Sequence, residues 1–520
     1  MDSPVSAAWA HLPDYLGQHV ILSAIALLLG AAISLPLAVL ASRRPALRWP
    51  LMTGSGLIQT IPSLALLALF YPLLLGLSGL TKSLFGVGFS ALGFLPALLA
   101  LTLYSMLPMV RNTVAGLSGI DAAVLEAARG VGMTSRQSLW RVELPLAASV
   151  ILAGIRTSAV WVIGAATLST PIGQTSLGNY IFTGLQTENW VFVLFGCFAS
   201  AGLALVVDQL LGLIESGLAR RDRKRVLAGV VALIAGLALA LAPVVIRTLV
   251  PGQTGYVIGS KTFSEQYILS SLIADRLKAN GLPATERSGL GSTVVLRALA
   301  QNDIDVYVEY SGTIWGTAMG HADNPGREAV TRQVTQWLRD TQGITVLGGL
   351  GFENAYALAM RRDKAGALGI HTLADLGRQS SSLTIGVDYE FLTRPEWSAL
   401  KTTYNLNFKG SIQYQSTFMY RAVVDKDVDV ISAFSSDGRI AADDLVVLSD
   451  PAGAIPPYDA LILIAPRRRD DARLKAALQP LVGAINVDAI RQANQRVDGD
   501  MKATPAVAAT WLESRIDPPR

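Results

Sequence analysis

Six stretches of the sequence stay apolar for about 20 residues, the length a helix needs to cross a hydrocarbon core. They fall near residues 20–41, 51–75, 89–110, 149–170, 190–213 and 226–250. Lipid offers no water to pair backbone N–H and C=O groups, so each stretch must satisfy them internally and is read as a helix. The 520-residue chain has 51% hydrophobic residues, 16% charged residues and a mean hydropathy of +0.41, too apolar for a wholly soluble protein.

Basic residues fix the orientation of these helices. Arg43, Arg44 and Arg48 follow the first stretch, Arg111, Arg129, Arg136 and Arg141 follow the third, and Arg220, Arg221, Arg223, Lys224 and Arg225 follow the fifth. The alternate connections, around Lys82 and Glu188, carry few. By the positive-inside rule the basic connections are cytoplasmic, which puts the N-terminus and everything after the sixth helix outside. The formal charge of +4 sits largely in these clusters, so it reads as topology and not as a nucleic-acid footprint. No Lys or Arg precedes Arg43, so a cleaved secretory signal is not expected. Cys197, the single cysteine, lies in an apolar run, which excludes an internal disulfide and a cysteine metal site. Pro62, Pro108 and Pro171 either bend helices along a substrate path or are packing kinks, while Arg156 and Asp208 are placed near helix ends and read as snorkelling.

The third connection carries the most information. It reads L-E-A-A-R-G-V-G-M-T-S-R-Q-S-L-W-R-V-E-L-P-L-A over residues 125–147. Glu126, Ala127 and Ala128 predict a short helix, Gly130 and Gly132 a bend, Thr134 to Leu144 a second helix, and Pro145 a break. Here the sequence resembles the permease subunits of ATP-binding-cassette importers. Their coupling loop has Glu-Ala-Ala, a glycine after a three-residue gap and a later Leu-Pro pair. The resemblance implies a MetI-like α-helical membrane domain of about six transmembrane helices, over residues 1–225 with a coupling loop at 121–147. A sixth helix and linker would occupy 226–254. Glu126, Ala127, Ala128, Gly132, Leu144 and Pro145 would then meet a cytoplasmic ATPase.

After Pro251-Gly252-Gln253 the composition becomes that of a soluble α/β protein. Strands are predicted at 256–259, 304–309, 356–360, 383–387, 428–433 and 460–464, with a helix over 263–277, and their alternation argues for parallel sheets. About 265 residues suit two lobes with a ligand between them. The strands near 355–358 and 459–463 are read as the crossings. Lobe one is then 255–356 plus 458–520, and lobe two 357–457.

This half resembles the substrate-binding proteins of osmoprotectant importers, those for glycine betaine, choline and carnitine, with ergothioneine importers as close relatives. The resemblance is carried by G-S-K-T-F-S-E-Q (259–266), L-G-S-T (290–293), D-I-D-V-Y-V-E-Y-S-G-T (303–313), G-F-E-N-A-Y-A-L (351–358), Y-E-F-L-T-R (389–394), M-Y-R-A (419–422), F-S-S-D-G-R-I (434–440) and P-P-Y (456–458). It implies a type II two-lobed periplasmic-binding-protein domain outside the inner membrane.

A trimethylammonium group donates no hydrogen bond, so a protein holds it with aromatic faces. Tyr310, Tyr356, Tyr420 and Tyr458 are the candidates. All these solutes except choline carry a carboxylate, which needs donors: Lys261, Thr262, Thr293, Thr313, Asn354 and, most pointedly, Arg394. Glu390 would face the cation or accept a proton from an imidazole-thione ring. Thr262 and Glu265 also have the spacing of a capping box. Ser311, Glu353 and the Pro395-Glu396-Trp397 that follow Arg394 depart from the usual pattern, which leaves the solute open.

No phosphate-binding loop, spaced histidine pair or nucleophile elbow occurs, so neither catalysis, cofactor nor metal is expected, and ATP hydrolysis falls to a separate protein. One elbow per chain predicts a homodimer or, alternatively, a pairing with a second permease subunit. The expectation is an importer of a quaternary-ammonium solute, embedded in membrane lipid, with ergothioneine as the alternative solute. A membrane-anchored ligand sensor and a membrane-anchored enzyme are the alternatives of other classes.

Overall fold

The computed structural model describes residues 4–86, 89, 91, 93–186, 189–249, 255–321, 323–499 and 503–516. The expected linker at 251–254, the Glu188 connection and the side chains of Lys82 and Thr293 lie outside the described residues.

The membrane half is helical. Its elements are α1 (Pro4–Arg43), α2 (Pro45–Thr60), α3 (Ser63–Phe85), α4 (Phe94–Ser118), α5 (Ala122–Gly130), α6 (Ser135–Ser138), α7 (Leu144–Ala166), α8 (Gly178–Gln186), α9 (Trp190–Ala219) and α10 (Arg223–Leu249). Among the described residues, six helical segments are long and apolar enough to cross a membrane. The second differs from expectation. The apolar run at 51–75 straddles a break, because Ile61 is extended (φ −70°, ψ 126°) ahead of Pro62 and the crossing helix is Ser63–Phe85. A residue before proline is pushed out of the helical region by the ring, and that splits a continuous apolar run in two.

The centre of this half is the packing of α4 on α7, helices that flank the third connection. Small residues let the two backbones approach. A Cβ on Gly154 would lie 2.8 Å from the carbonyl oxygen of Pro108, and one on Gly116 would lie 3.2 Å from Val150. Ser158 Oγ donates to the Ser105 carbonyl at 2.7 Å across the same seam. Arg156 and Asp208 do not snorkel: the Arg156 guanidinium on α7 donates to both Asp208 oxygens on α9, at 2.5 and 2.7 Å. A partner one helix away satisfies the charge without a reach to the interface.

The C-terminal half contains two five-stranded sheets. Its strands are β1 (Tyr256–Gly259), β2 (Ala284–Arg287), β3 (Val306–Tyr310), β4 (Thr345–Glu353), β5 (Tyr356–Arg361), β6 (Thr384–Asp388), β7 (Gly410–Tyr414), β8 (Val430–Phe434), β9 (Leu445–Val447) and β10 (Asp459–Ile464). The first sheet runs β2-β1-β3-β10-β4 and the second β7-β6-β8-β5-β9. Central strands such as β3 and β10 are buried on both faces, so they are largely apolar, and the one carboxylate within β3, Glu309, is paired with Lys261.

The sheets are mixed rather than parallel throughout. β10 runs antiparallel to β3 and β4, and β5 runs antiparallel to β8 and β9. Among the described residues no strand belongs to both sheets. Asn354 and Ala355 join β4 in the first sheet to β5 in the second, and the chain re-enters the first sheet at β10. Strand and helix alternation cannot show this reversal, because the antiparallel partners are far apart in sequence and no hairpin turn marks them.

The α4–α7 seam generates a prediction. Gly154→Ala is expected to destabilise the chain by about 1–3 kcal/mol, as overpacking of a close contact does. Gly236→Ala, where nothing lies within 4 Å, is expected to be neutral or better. Thermal unfolding of the detergent-purified chain measures both, and equal effects would refute a close-packed seam.

Candidate functional site

The C-terminal half folds its polar loops toward one cleft. Lys261, Thr262 and Phe263 follow β1, Tyr310 ends β3, Asp388 ends β6, Gln415 and Ser416 follow β7, and Phe434 ends β8. These are the carboxyl ends of strands, where α/β sheets place ligands. Together with Ser292, Thr313, Asn354, Tyr356, Tyr389, Glu390, Arg394 and Tyr458 they line a cavity of about 160 Å³.

The walls are aromatic. Phe263 and Phe434 lie parallel within 3°, centroids 6.1 Å apart, and Tyr310 extends that wall 6.2 Å from Phe263. Tyr356 leans on Phe434 at 5.0 Å and meets the edge of Tyr458 at 6.2 Å. Gly312 makes room for this arrangement, since a Cβ there would run into the Tyr458 ring.

Two of these rings already carry cations. Lys261 Nζ stands 5.2 Å from the Tyr310 centroid while paired with the buried Glu309. The Arg394 guanidinium lies 5.0 Å from the Tyr356 centroid and donates to Glu390 at 3.2 Å, Glu396 at 3.4 Å and Tyr458 Oη at 3.4 Å. Burial works against the charge of Arg394, but Tyr356, Tyr458 and Glu396 around it outweigh that and raise its pKa. Burial raises the pKa of Asp388, whose carboxylate accepts the N–H groups of Glu390 and Phe391 and so shapes the turn that carries Glu390.

Of the residues singled out in the sequence, Lys261, Thr262, Tyr310, Thr313, Asn354, Tyr356, Glu390, Arg394 and Tyr458 line this cavity. Tyr420 stands behind it: its hydroxyl accepts the Phe434 N–H at 3.0 Å and Arg439 covers its ring. Thr293 is in the helix Ser292–Ala300, its side chain undescribed.

Glu265 is not a capping residue. The helix that follows β1, α11 (Ser264–Ala279), begins with Phe263 at its N-cap and no side-chain cap bond. Glu265 is instead 3% exposed and accepts four hydrogen bonds. Tyr310 Oη (2.5 Å) and Asn354 Nδ2 (3.0 Å) donate to one oxygen, and Ser436 Oγ (2.5 Å) and Asn494 Nδ2 (2.9 Å) to the other. Burial raises its pKa, and the four donors oppose that rise. Asn354 sits at the crossing between the sheets and Ser436 just beyond β8, so one carboxylate ties both lobes together.

The third connection of the membrane half is a bent arm. Asp121 caps α5 through the Ala123 N–H at 2.9 Å, Gly132 turns the chain at φ +78°, and Thr134 with Gln137 forms a capping box that starts the second arm. Glu126 and Ala127 are exposed, Ala128 is buried, and Leu144 is half-buried. Pro145 does not break the helix. The backbone widens into a π-turn over Leu139–Glu143 and continues straight into α7, so the lost N–H of Pro145 is absorbed one turn earlier. Arg43 at the end of α1 holds the arm through Glu143 at 3.0 Å.

Residues 255–514 match the substrate binding domain family of ABC-type glycine betaine transport systems, and residues 18–220 match the binding-protein-dependent transport system inner membrane component family. The chain belongs to both. It is an ABC-importer permease fused to its own substrate-binding domain, a multi-pass membrane transport subunit. It is 29% identical over 471 residues to the ergothioneine transport permease/ergothioneine binding protein EgtU of Helicobacter pylori (strain G27), covering 88% of this chain and 82% of that one. The choline transport system permease protein OpuBB of Bacillus subtilis (strain 168) is 39% identical over 208 residues, 40% of this chain and 88% of the relative. Among solved structures, a glycine betaine/carnitine/choline ABC transporter matches 50% of this chain and 100% of its own with 26% identity and a TM-score of 0.45.

Sequence reasoning missed Phe263, Ser292, Asp388, Tyr389, Gln415, Ser416 and Phe434 in the cleft of the binding domain. The signal for most of them was position, because they close or follow a strand. Choosing a few tyrosines as the cage passed over the two phenylalanines and Tyr389. In the permease the Thr-x-x-Gln spacing at 134–137 announced its capping box in the same way.

Glu265→Ala is expected to cost roughly 3 kcal/mol, because it strands buried donors. Glu265→Gln is expected to cost less but still measurably, since its amide nitrogen faces donors and not acceptors. Denaturant unfolding of the binding domain signal in the full chain reads both, and a neutral Glu265→Ala would remove the tie between the lobes.

Proposed function

We propose that the binding domain captures a trimethylammonium betaine, a solute with both a quaternary ammonium and a carboxylate, outside the cell. The six-helix permease then passes it inward under the action of a separate cytoplasmic ATPase. The observation that carries this reading is the cleft itself: six aromatic rings, Phe263, Tyr310, Tyr356, Tyr389, Phe434 and Tyr458, surround a single small cavity into which Arg394 is built. Aromatic faces suit the ammonium. A buried, permanently charged guanidinium suits the carboxylate. With Tyr356 and Tyr310 covered by Arg394 and Lys261, the faces left for the ammonium are those of Phe263, Phe434, Tyr389 and Tyr458.

Within this class ergothioneine is the solute we favour. The ergothioneine relative matches across both halves of the chain, and the Glu390 side chain, 53% exposed at the cleft, is placed to accept an N–H from a ring-bearing betaine. Glycine betaine is the second reading, supported by the family to which residues 255–514 belong. The basic residues of alternate connections support a cytoplasmic arm and an outer binding domain. A single arm per chain supports a homodimer, and Val131 and Trp140, 74% and 65% exposed on the arm, offer the apolar contacts an ATPase groove would cover.

Titration of the full chain in detergent with ergothioneine, glycine betaine, carnitine and choline tests the solute. The carboxylate-bearing betaines are expected to bind at least about tenfold tighter than choline, the value of one charge-assisted hydrogen bond. Arg394→Gln is expected to erase that preference by weakening the betaines and leaving choline alone. Equal affinity for choline and the betaines in the unmodified chain would sink the assignment. In the arm, Trp140→Glu is expected to abolish transport in cells while solute affinity stays unchanged.

A further inference from the structure

The permease carries a charged groove at membrane depth that the binding cleft does not explain. Arg156 lies twelve residues beyond Leu144 on α7, roughly 18 Å along the helix axis, within a hydrocarbon core of about 30 Å. Across from it Asp208, Gly212 and Glu215 recur on one face of α9. The guanidinium rests over Gly212, where a Cβ would come within 3.1 Å of Nη1, and it bonds Asp208 at 2.5 Å and Glu215 at 3.3 Å. The glycine is the seat of the arginine.

One cation faces two carboxylates, so the cluster keeps a surplus negative charge. It opens into a groove of about 390 Å³ lined also by Ala153, Thr157, Val160 and Trp161. The side chains of Arg156, Asp208 and Glu215 are 34%, 21% and 28% exposed, and the residues that line the groove belong to α7 and α9. Charges at this depth face a bundle interior or water and not lipid tails. The indole of Trp161, 55% exposed beside them, is the strongest aromatic partner for a cation. The surplus carboxylate and the indole therefore favour a positively charged, poorly hydrated group in a water-filled space, and Arg156 beside them suits an anionic one.

We infer that this face of α7 and α9 walls the solute passage opposite the same face of a second copy, and that Glu215, Asp208 and Trp161 form a way-station for the quaternary ammonium pole while Arg156 meets the carboxylate. The inference rests on the betaine reading above for the identity of its cargo. Two copies bring two surplus carboxylates to the passage. They repel one another across a dry seam and are compatible only with a wet one that admits a cation. The groove also sits on the helix that continues the cytoplasmic arm without a break, so movement of the arm reaches it directly.

The test uses the full chain with Cys197→Ser, in cells that transport the solute. Thr157→Cys in the groove is compared with Ile234→Cys on the exposed side of α10, using a methanethiosulfonate reagent that bears an ethyltrimethylammonium group. Thr157→Cys is expected to react at least tenfold faster than Ile234→Cys, and adding Glu215→Gln is expected to slow it at least threefold. Equal reactivity at the two positions, or indifference to Glu215→Gln, overturns the way-station. A chain that labels as expected but binds none of the betaines overturns the solute reading and leaves the wet cationic path standing.

Discussion

A bilayer core cannot solvate a bare peptide group, and that refusal organises the whole chain. It forces residues 4–249 into helices and strips them of charge except where a partner is at hand. It also pushes the basic residues into alternate connections, so the polar parts of the molecule are either short arms or the binding domain. Where charge does persist within the helices, at Arg156, it is held between two carboxylates over a glycine. The close α4–α7 seam then ties the bent arm to the centre of the membrane half, because both helices leave that arm directly.

The binding domain answers a related problem with different means. Its cleft is small and largely aromatic, and the ionised groups inside it are all spoken for. Arg394 is shared among Glu390, Glu396 and Tyr458, Lys261 is held by Glu309, and Asp388 by the turn it shapes. A solute that enters must therefore offer something to a guanidinium already bonded and to rings already faced by cations. This favours ligands with both poles of charge. Glu265 ties the same cleft to the hinge, since one of its donors, Tyr310, also lines the cavity.

Much of this was legible in the sequence. The apolar runs carried the helix order, and the Glu-Ala-Ala arm with the spread of motifs in the C-terminal half carried the family. What stayed hidden follows a pattern. Pro62 splits the stretch read as one crossing, because its ring acts on the backbone of Ile61, which a hydropathy window does not weigh. Pro145 sits where any local rule ends a helix, yet a wider turn upstream absorbs it. Arg156 and Asp208 are 52 residues apart, so their pairing is invisible to any window along the chain. Glu265 has the spacing of a cap and the environment of a hinge, a difference that only its distant donors reveal. The antiparallel course of β5 and β10 is hidden in the same way, since their partners return from far along the sequence.

The π-turn at 139–143 has an effect on phase. Each residue of an α-helix advances the facing by about 100°, and a wide turn holds one residue more than its neighbours. Everything beyond it, the Gly154 seam and the Arg156 groove alike, is therefore clocked against the arm by that single inserted residue. Tightening the turn to ordinary pitch would swing both surfaces a quarter-turn or so around the axis while the arm stayed put. The bulge thus acts as the register mark between the arm and the helix faces beyond it.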